Sequence, residues 1–155
     1  MVFLASIAKF LMLVHAGASI ALVGATTHNG ILAFSHLRGG QQKSALQRRY
    51  VSWMFWLFLL TFVIGLLIYP AYRVHVRAEY FDLQLPFATR LFEIKEHWLA
   101  IALGILAIYY PLSRRIDVSK RGMDVQLYNF LGVLMVLIIW YAMVASLLLV
   151  SYRSL

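Results

Sequence analysis

The chain has 155 residues, of which 63% are hydrophobic and 13% charged, with 14 Lys plus Arg against 6 Asp plus Glu and a formal net charge of +8. So little polar surface excludes an ordinary soluble domain and points to several membrane spans. The basic excess sits in short segments beside apolar runs, which favours a membrane topology signal over nucleic-acid binding. The absence of Cys excludes disulfides, thiolate metal sites, covalent c-type haem attachment and thiol redox chemistry.

Four stretches lack Asp, Glu, Lys and Arg: residues 10–37, 50–72, 97–113 and 125–152. A helix needs about 20 residues to cross the hydrocarbon layer. The runs are too long and too continuously apolar for barrel strands, so helices are expected. The reading is an all-α, single-domain, integral membrane four-helix bundle of antiparallel up-down topology. Its spans lie at approximately 5–37, 48–72, 88–112 and 125–151. Ala16-Gly17-Ala18 resembles a signal cleavage site, but no basic region precedes it and Lys9 interrupts the apolar run, so the segment is expected to remain as a span. Gly39-Gly40 marks a tight turn between the first two spans. Pro86 suits the first turn of a helix and marks the start of the third.

Charge sets the expected orientation. The first connection carries Arg38, Lys43, Arg48 and Arg49 without an acid. The third carries Arg114, Arg115, Lys120 and Arg121 with Asp117 and Asp124. In the middle segment, 73–96, expected as a loop, Arg73, Arg77, Arg90 and Lys95 are balanced by Glu79, Asp82, Glu93 and Glu96. Segments 38–49 and 114–124 are therefore expected in the cytoplasm, with both termini and the middle segment outside a bacterial cytoplasmic membrane. Trp53 and Trp56 near the inner end, with Trp98 and Tyr152 near outer ends, fit interfacial belts.

Histidines inside spans are costly and tend to be functional. His15 and His28 lie within span one, and His97 opens the uncharged part of span three. His36 and His75 lie near the boundaries. Gly17, Ala21, Gly24 and His28 share one face of span one. Such a stripe serves close helix packing, or leaves room for a planar cofactor. A membrane b-type haem needs His ligands from facing helices and cations at its propionates. His15 and His97 form the best available pair, with Arg73, Arg77 and Arg90 for the propionates. Their depths differ by six residues, about 9 Å, so span one would have to protrude inward. Such a protein would pass electrons between a quinol pool and a larger respiratory or redox complex.

Two alternatives stand beside this. In one, the chain is a cofactor-free accessory subunit of a larger membrane complex, with oligomerisation open. In the other, Glu93, Glu96 and His97, completed by His75, form an outer-face metal or proton site, or Lys95 and Glu96 line a quinol pocket. The plain reading of the same charges is an ion-pair network at the interface. No G-x-S-x-G, P-loop or G-x-G-x-x-G occurs, so no enzymatic activity is assigned.

His15 and His36, followed by Leu37-Arg38, and the element Phe92-Glu93-Ile94-Lys95 carry a family resemblance. The layout of spans one to three resembles the HemJ-type protoporphyrinogen oxidase and copper-resistance CopD-like group of small membrane proteins. That group has a His-x-Lys element opening its third helix; here Glu93 occupies the His position, and His97 follows two residues after Lys95. The resemblance implies haem association and does not carry the oxidase activity with it.

Overall fold

The computed structural model describes residues 7–40, 43–118 and 122–153. These are helical almost throughout, with no strand among them. Helix α1 spans Ala8–Leu37, α2 Ser44–Tyr72, α3 Pro86–Arg115 and α4 Met123–Tyr152. Three helical stretches are long and apolar enough to cross a membrane: Ala8–Leu37, the continuous Ser44–Gln84, and Met123–Tyr152. Helix α3 is as long as the first and last of these, 30 residues or about 45 Å. Its apolar stretch is diluted by Arg90, Glu93, Lys95 and Glu96 in the opening turns and by Tyr109-Tyr110-Pro111 near the end.

Helix α1 packs along α2 on one side and α4 on the other, while α3 packs mainly against α4 and to a lesser extent α2. Helices α1 and α3 therefore occupy a diagonal. The core runs through Val51, Met54, Phe58, Leu106, Tyr109, Tyr128 and Met135. Large apolar side chains cover the outside, among them Phe10, Leu13, Ile20, Ile108, Leu137 and Leu147. An apolar exterior around a partly polar core is how a helix bundle presents itself to lipid.

The turn after α1 closes as the sequence leads one to expect. Gly39 adopts φ +83, and the amides of Gly39 and Gly40 donate to the carbonyls of His36 and Ser35 at 2.9 Å. This reciprocal pattern is a Schellman cap, and the left-handed backbone at its centre favours glycine.

The middle segment departs from expectation. Instead of forming a loop, residues 73–84 continue α2. The chain passes Pro70, which lacks an N–H, and then widens into a π-helix over Arg73–Phe81, followed by a short turn at Asp82–Gln84. Val76 and Phe81 are buried on one face of this stretch, and Arg73, His75 and Glu79 are exposed. A segment with charges on one side and apolar residues on the other can satisfy its backbone as helix at an interface. The connection shrinks to Leu85, at φ −139 and ψ 67, and Pro86 then opens α3. The Thr89 hydroxyl donates across this turn to Asp82 at 2.7 Å.

Helices α1 and α4 approach most closely at small residues. A Cβ at Gly30 would overlap the Val136 side chain, and one at Gly132 would stand 3.2 Å from Ala33 Cβ. The stripe expected to mediate packing, Gly17-Ala21-Gly24-His28, is instead open: a Cβ at Gly17 or Gly24 meets nothing within 4 Å. Close crossing is therefore carried by Gly30 and Ala33 with Gly132, on a different face of α1.

A polar belt crosses the core near one end of the bundle. Tyr109 and Asn29 exchange hydrogen bonds at 3.1 and 3.4 Å, Gln47 donates to Asn129 at 2.9 Å, and Tyr109 stacks on Tyr128 with centroids 4.7 Å apart. These residues lie on all four helices. Amide and hydroxyl groups buried in lipid must find partners within the protein, so the belt specifies which helix faces meet.

Candidate functional site

At the opposite end of the bundle a second polar cluster forms around His15. The imidazole lies over Gly65 of α2, with Cε1 3.4 Å from the position a Cβ would occupy. The absent side chain leaves room for the ring. The backbone of Thr61 engages the imidazole, and the Lys95 ammonium lies within electrostatic reach of it. His15 Nδ1 is buried without a hydrogen-bond partner among the described residues.

Lys95 enters from α3 with its side chain only 13% exposed. Its ammonium sits 4.4 Å from the centre of the Phe92 ring and 3.8 Å from Glu96. Burying an ammonium is costly, and the ring face and neighbouring carboxylate offset part of that cost. The other face of the aromatic group is built from α2: Tyr72 stacks on Phe92 at 4.5 Å and Tyr69 at 6.3 Å. The Tyr72 hydroxyl is a second buried polar atom without a partner, and the charges of Arg77, Glu96 and Asp82 act on it. Lys95 and Tyr72 thus bring donor-capable groups from two helices to the Phe92 aromatic cluster, with His15 of a third helix within electrostatic reach of Lys95.

Beyond this cluster Arg77 holds the π-helix to α3. Its Nη2 donates to Glu93 at 2.6 Å and its Nε lies 3.6 Å from Asp82. Of the three arginines considered for haem propionates, Arg77 joins the carboxylates, while Arg73 and Arg90 are exposed.

His15 and His97 are not brought together. His97 is exposed, and its Nδ1 pairs with the Glu93 carbonyl of its own helix at 2.6 Å. The reason is azimuth. Residues two apart on an α-helix point about 200° apart, so when Lys95 faces His15, His97 faces away. The carboxylate–histidine set is dispersed as well. Glu93 binds Arg77, Glu96 pairs with Lys95, and His75 pairs with Glu79 at 3.3 Å. Among the described residues no group of three His, Asp or Glu is placed to hold a metal ion. His28 bonds its own helix at the Gly24 carbonyl at 2.8 Å and stacks on Tyr50 at 5.2 Å.

The residues that sequence reasoning passed over are Tyr72, Phe92 and Gly65. Tyr72 and Phe92 read as ordinary apolar positions. Gly65 carries no local signal, because its use depends on which α1 side chain it faces. Comparison with family models, with curated protein sequences and with solved structures gives no match.

Proposed function

We propose that this chain is an antiparallel four-helix membrane protein that binds the headgroup of a quinone-type carrier and exchanges protons with it at the outer side. Both termini and the 73–84 helix face outward, and 38–49 and 114–124 face the cytoplasm, as the basic excess in those two segments requires. The fourth crossing is α3, with its charged opening turns at the outer interface and Lys95 reaching inward.

The observation that carries the reading is the His15 Nδ1, buried and without a hydrogen-bond partner among the described residues, within electrostatic reach of the largely buried amine of Lys95. Buried polar atoms are nearly always hydrogen-bonded, and an exception asks for a missing partner. A planar dicarbonyl headgroup supplies two acceptors and an apolar ring that packs at the edge of the Phe92–Tyr72 stack. Reduction or oxidation of such a headgroup moves protons as well as electrons. The His15 imidazole is placed to exchange one with the headgroup, and the Lys95–Glu96 pair leads from the cluster toward solvent. The electrons pass to a redox centre on a partner, which makes the chain a subunit of a redox complex.

The test is extraction of bound carrier from protein purified in mild detergent, with His15→Ala and Lys95→Met alongside. Retention of quinone by the parent and its loss from both variants, with helical content unchanged, is expected. Equal quinone content in all three sinks the reading. The haem alternative is read from the same sample: a Soret band lost in both His15→Ala and His97→Ala would replace the quinone site with a bis-His haem.

A second reading is favoured by one observation. The Gly17-Ala21-Gly24 face of α1 is uncovered, and small residues on a membrane helix permit close approach of another helix. A cofactor-free accessory subunit would use that face against its partner. Quinone-free protein that co-purifies with a larger complex, and is released by Gly17→Leu, would establish it.

A further inference from the structure

The other end of the bundle carries a crevice of about 490 Å³ between the start of α2 and the end of α3. Three guanidinium groups, from Arg48, Arg49 and Arg114, line it together with Ser52 and Trp53, and no carboxylate does. Asp117 follows close by in sequence but is not part of the lining.

Two of the arginines, Arg48 and Arg114, are held in place. Arg48 donates from Nη2 to the Ile116 carbonyl at 3.0 Å. Arg114 donates to Ser52 Oγ at 2.9 Å, and its guanidinium lies 5.3 Å from the centre of the Tyr110 ring. Ser52 Oγ in turn donates to the Arg48 carbonyl at 2.8 Å. The Nε of Arg48 is buried and makes no hydrogen bond among the described residues. Three like charges around one hollow, two of them held in place, repel one another, and an anion in the crevice offsets that repulsion. The first turn of α2 contributes further, because its N-cap Lys43 makes no side-chain cap bond and leaves amide groups open at a positive helix end.

We propose that this crevice binds the phosphate of an anionic phospholipid. The phosphate group matches the planar donor forks of Arg48 and Arg114. A lipid, rather than free phosphate, fits the surroundings. Trp53 forms one wall and is 64% exposed, and Trp56 nearby is 61% exposed. Such rings sit at the headgroup level of a bilayer, where acyl chains would run down the apolar exterior of α2. Basic pockets between membrane helices are suited to anionic headgroups. The site lies at the opposite end from His15 and is independent of the quinone reading.

The experiment is native mass spectrometry of the delipidated full chain in neutral detergent, titrated with phosphatidylglycerol, with phosphatidylcholine, and with phosphatidylglycerol plus inorganic phosphate. Preferential retention of phosphatidylglycerol is expected, with affinity falling about fivefold for each of Arg49→Gln and Arg114→Gln. Arg49 is exposed, so Arg49→Gln tests the site without disturbing the fold. Equal retention of the two lipids overturns the proposal, as does unchanged phosphatidylglycerol binding by both variants. Displacement by millimolar inorganic phosphate would overturn the lipid assignment and leave a free anion as the occupant.

Discussion

Replacing Gly132 by Ala tests the helix seam directly. The new methyl would stand 2.6 Å from the Tyr109 hydroxyl and 3.2 Å from both Ala33 Cβ and Asn29 Nδ2. None of these can retreat freely: Ala33 is fully buried on α1, and Tyr109 is stacked on Tyr128 and bonded to Asn29. Overpacking of this kind costs about 1–3 kcal/mol. The better helix propensity of Ala returns up to about 1 kcal/mol. Displacing the Tyr109 hydroxyl weakens its bond to Asn29, worth about 0.6 kcal/mol in a membrane interior. With the full propensity return and the weakened bond, the net expectation is a loss of about 0.6–2.6 kcal/mol. Equilibrium unfolding in mixed micelles of increasing dodecyl sulfate content measures it, and the four Trp residues supply the fluorescence signal. Tyr109→Phe removes the atom at 2.6 Å. In that background Gly132→Ala should cost little, giving a coupling of about 1 kcal/mol between the two sites. If Gly132→Ala costs the same with and without the hydroxyl, the seam is not packed as described and the reasoning fails.

The same logic gives opposite signs elsewhere. A Cβ at Gly24 meets nothing within 4 Å, so with no overpacking to offset its helix propensity Gly24→Ala should stabilise by up to about 1 kcal/mol. Asn129→Leu leaves the buried Gln47 amide without its 2.9 Å acceptor, and a loss of about 1–3 kcal/mol is expected in the same assay. Glu93→Gln removes the closest partner of Arg77, but the Glu93 side chain is 47% exposed; solvent screening limits the loss to below about 1 kcal/mol. Topology is checked with single cysteines, since the chain has none of its own. In intact cells a membrane-impermeant maleimide should label Glu79→Cys and spare Lys43→Cys; the reverse pattern would invert the orientation.

Much of the architecture was legible along the chain. Charge-free runs located the helices, Pro86 opened α3, and Gly39-Gly40 closed α1. Each of these is a local property: hydrocarbon depth, a fixed φ, a left-handed turn. The middle segment reads as a loop along the chain because its charges look like solvent-exposed chain. Val76 and Phe81 turn the same residues into a helix that lies against the bundle.

What stayed hidden was rotation of each helix about its axis. In water an apolar stripe marks the buried face. Here α1 and α4 are apolar all round, because lipid accepts the same side chains as the core. Gly17-Ala21-Gly24 and Gly30-Ala33 are equally plausible seams from sequence. Only the fit of Gly132 against Ala33 and Asn29 selects the second. His97 and Lys95 illustrate the same limit at the site. They share a depth that hydropathy can read, yet packing of α3 against α4 and α2 turns Lys95 toward His15 and leaves His97 exposed. The sequence by itself determined how deep each residue lies. Tertiary structure decided which way it points, because van der Waals fit and hydrogen bonding between helices, rather than polarity, set that angle.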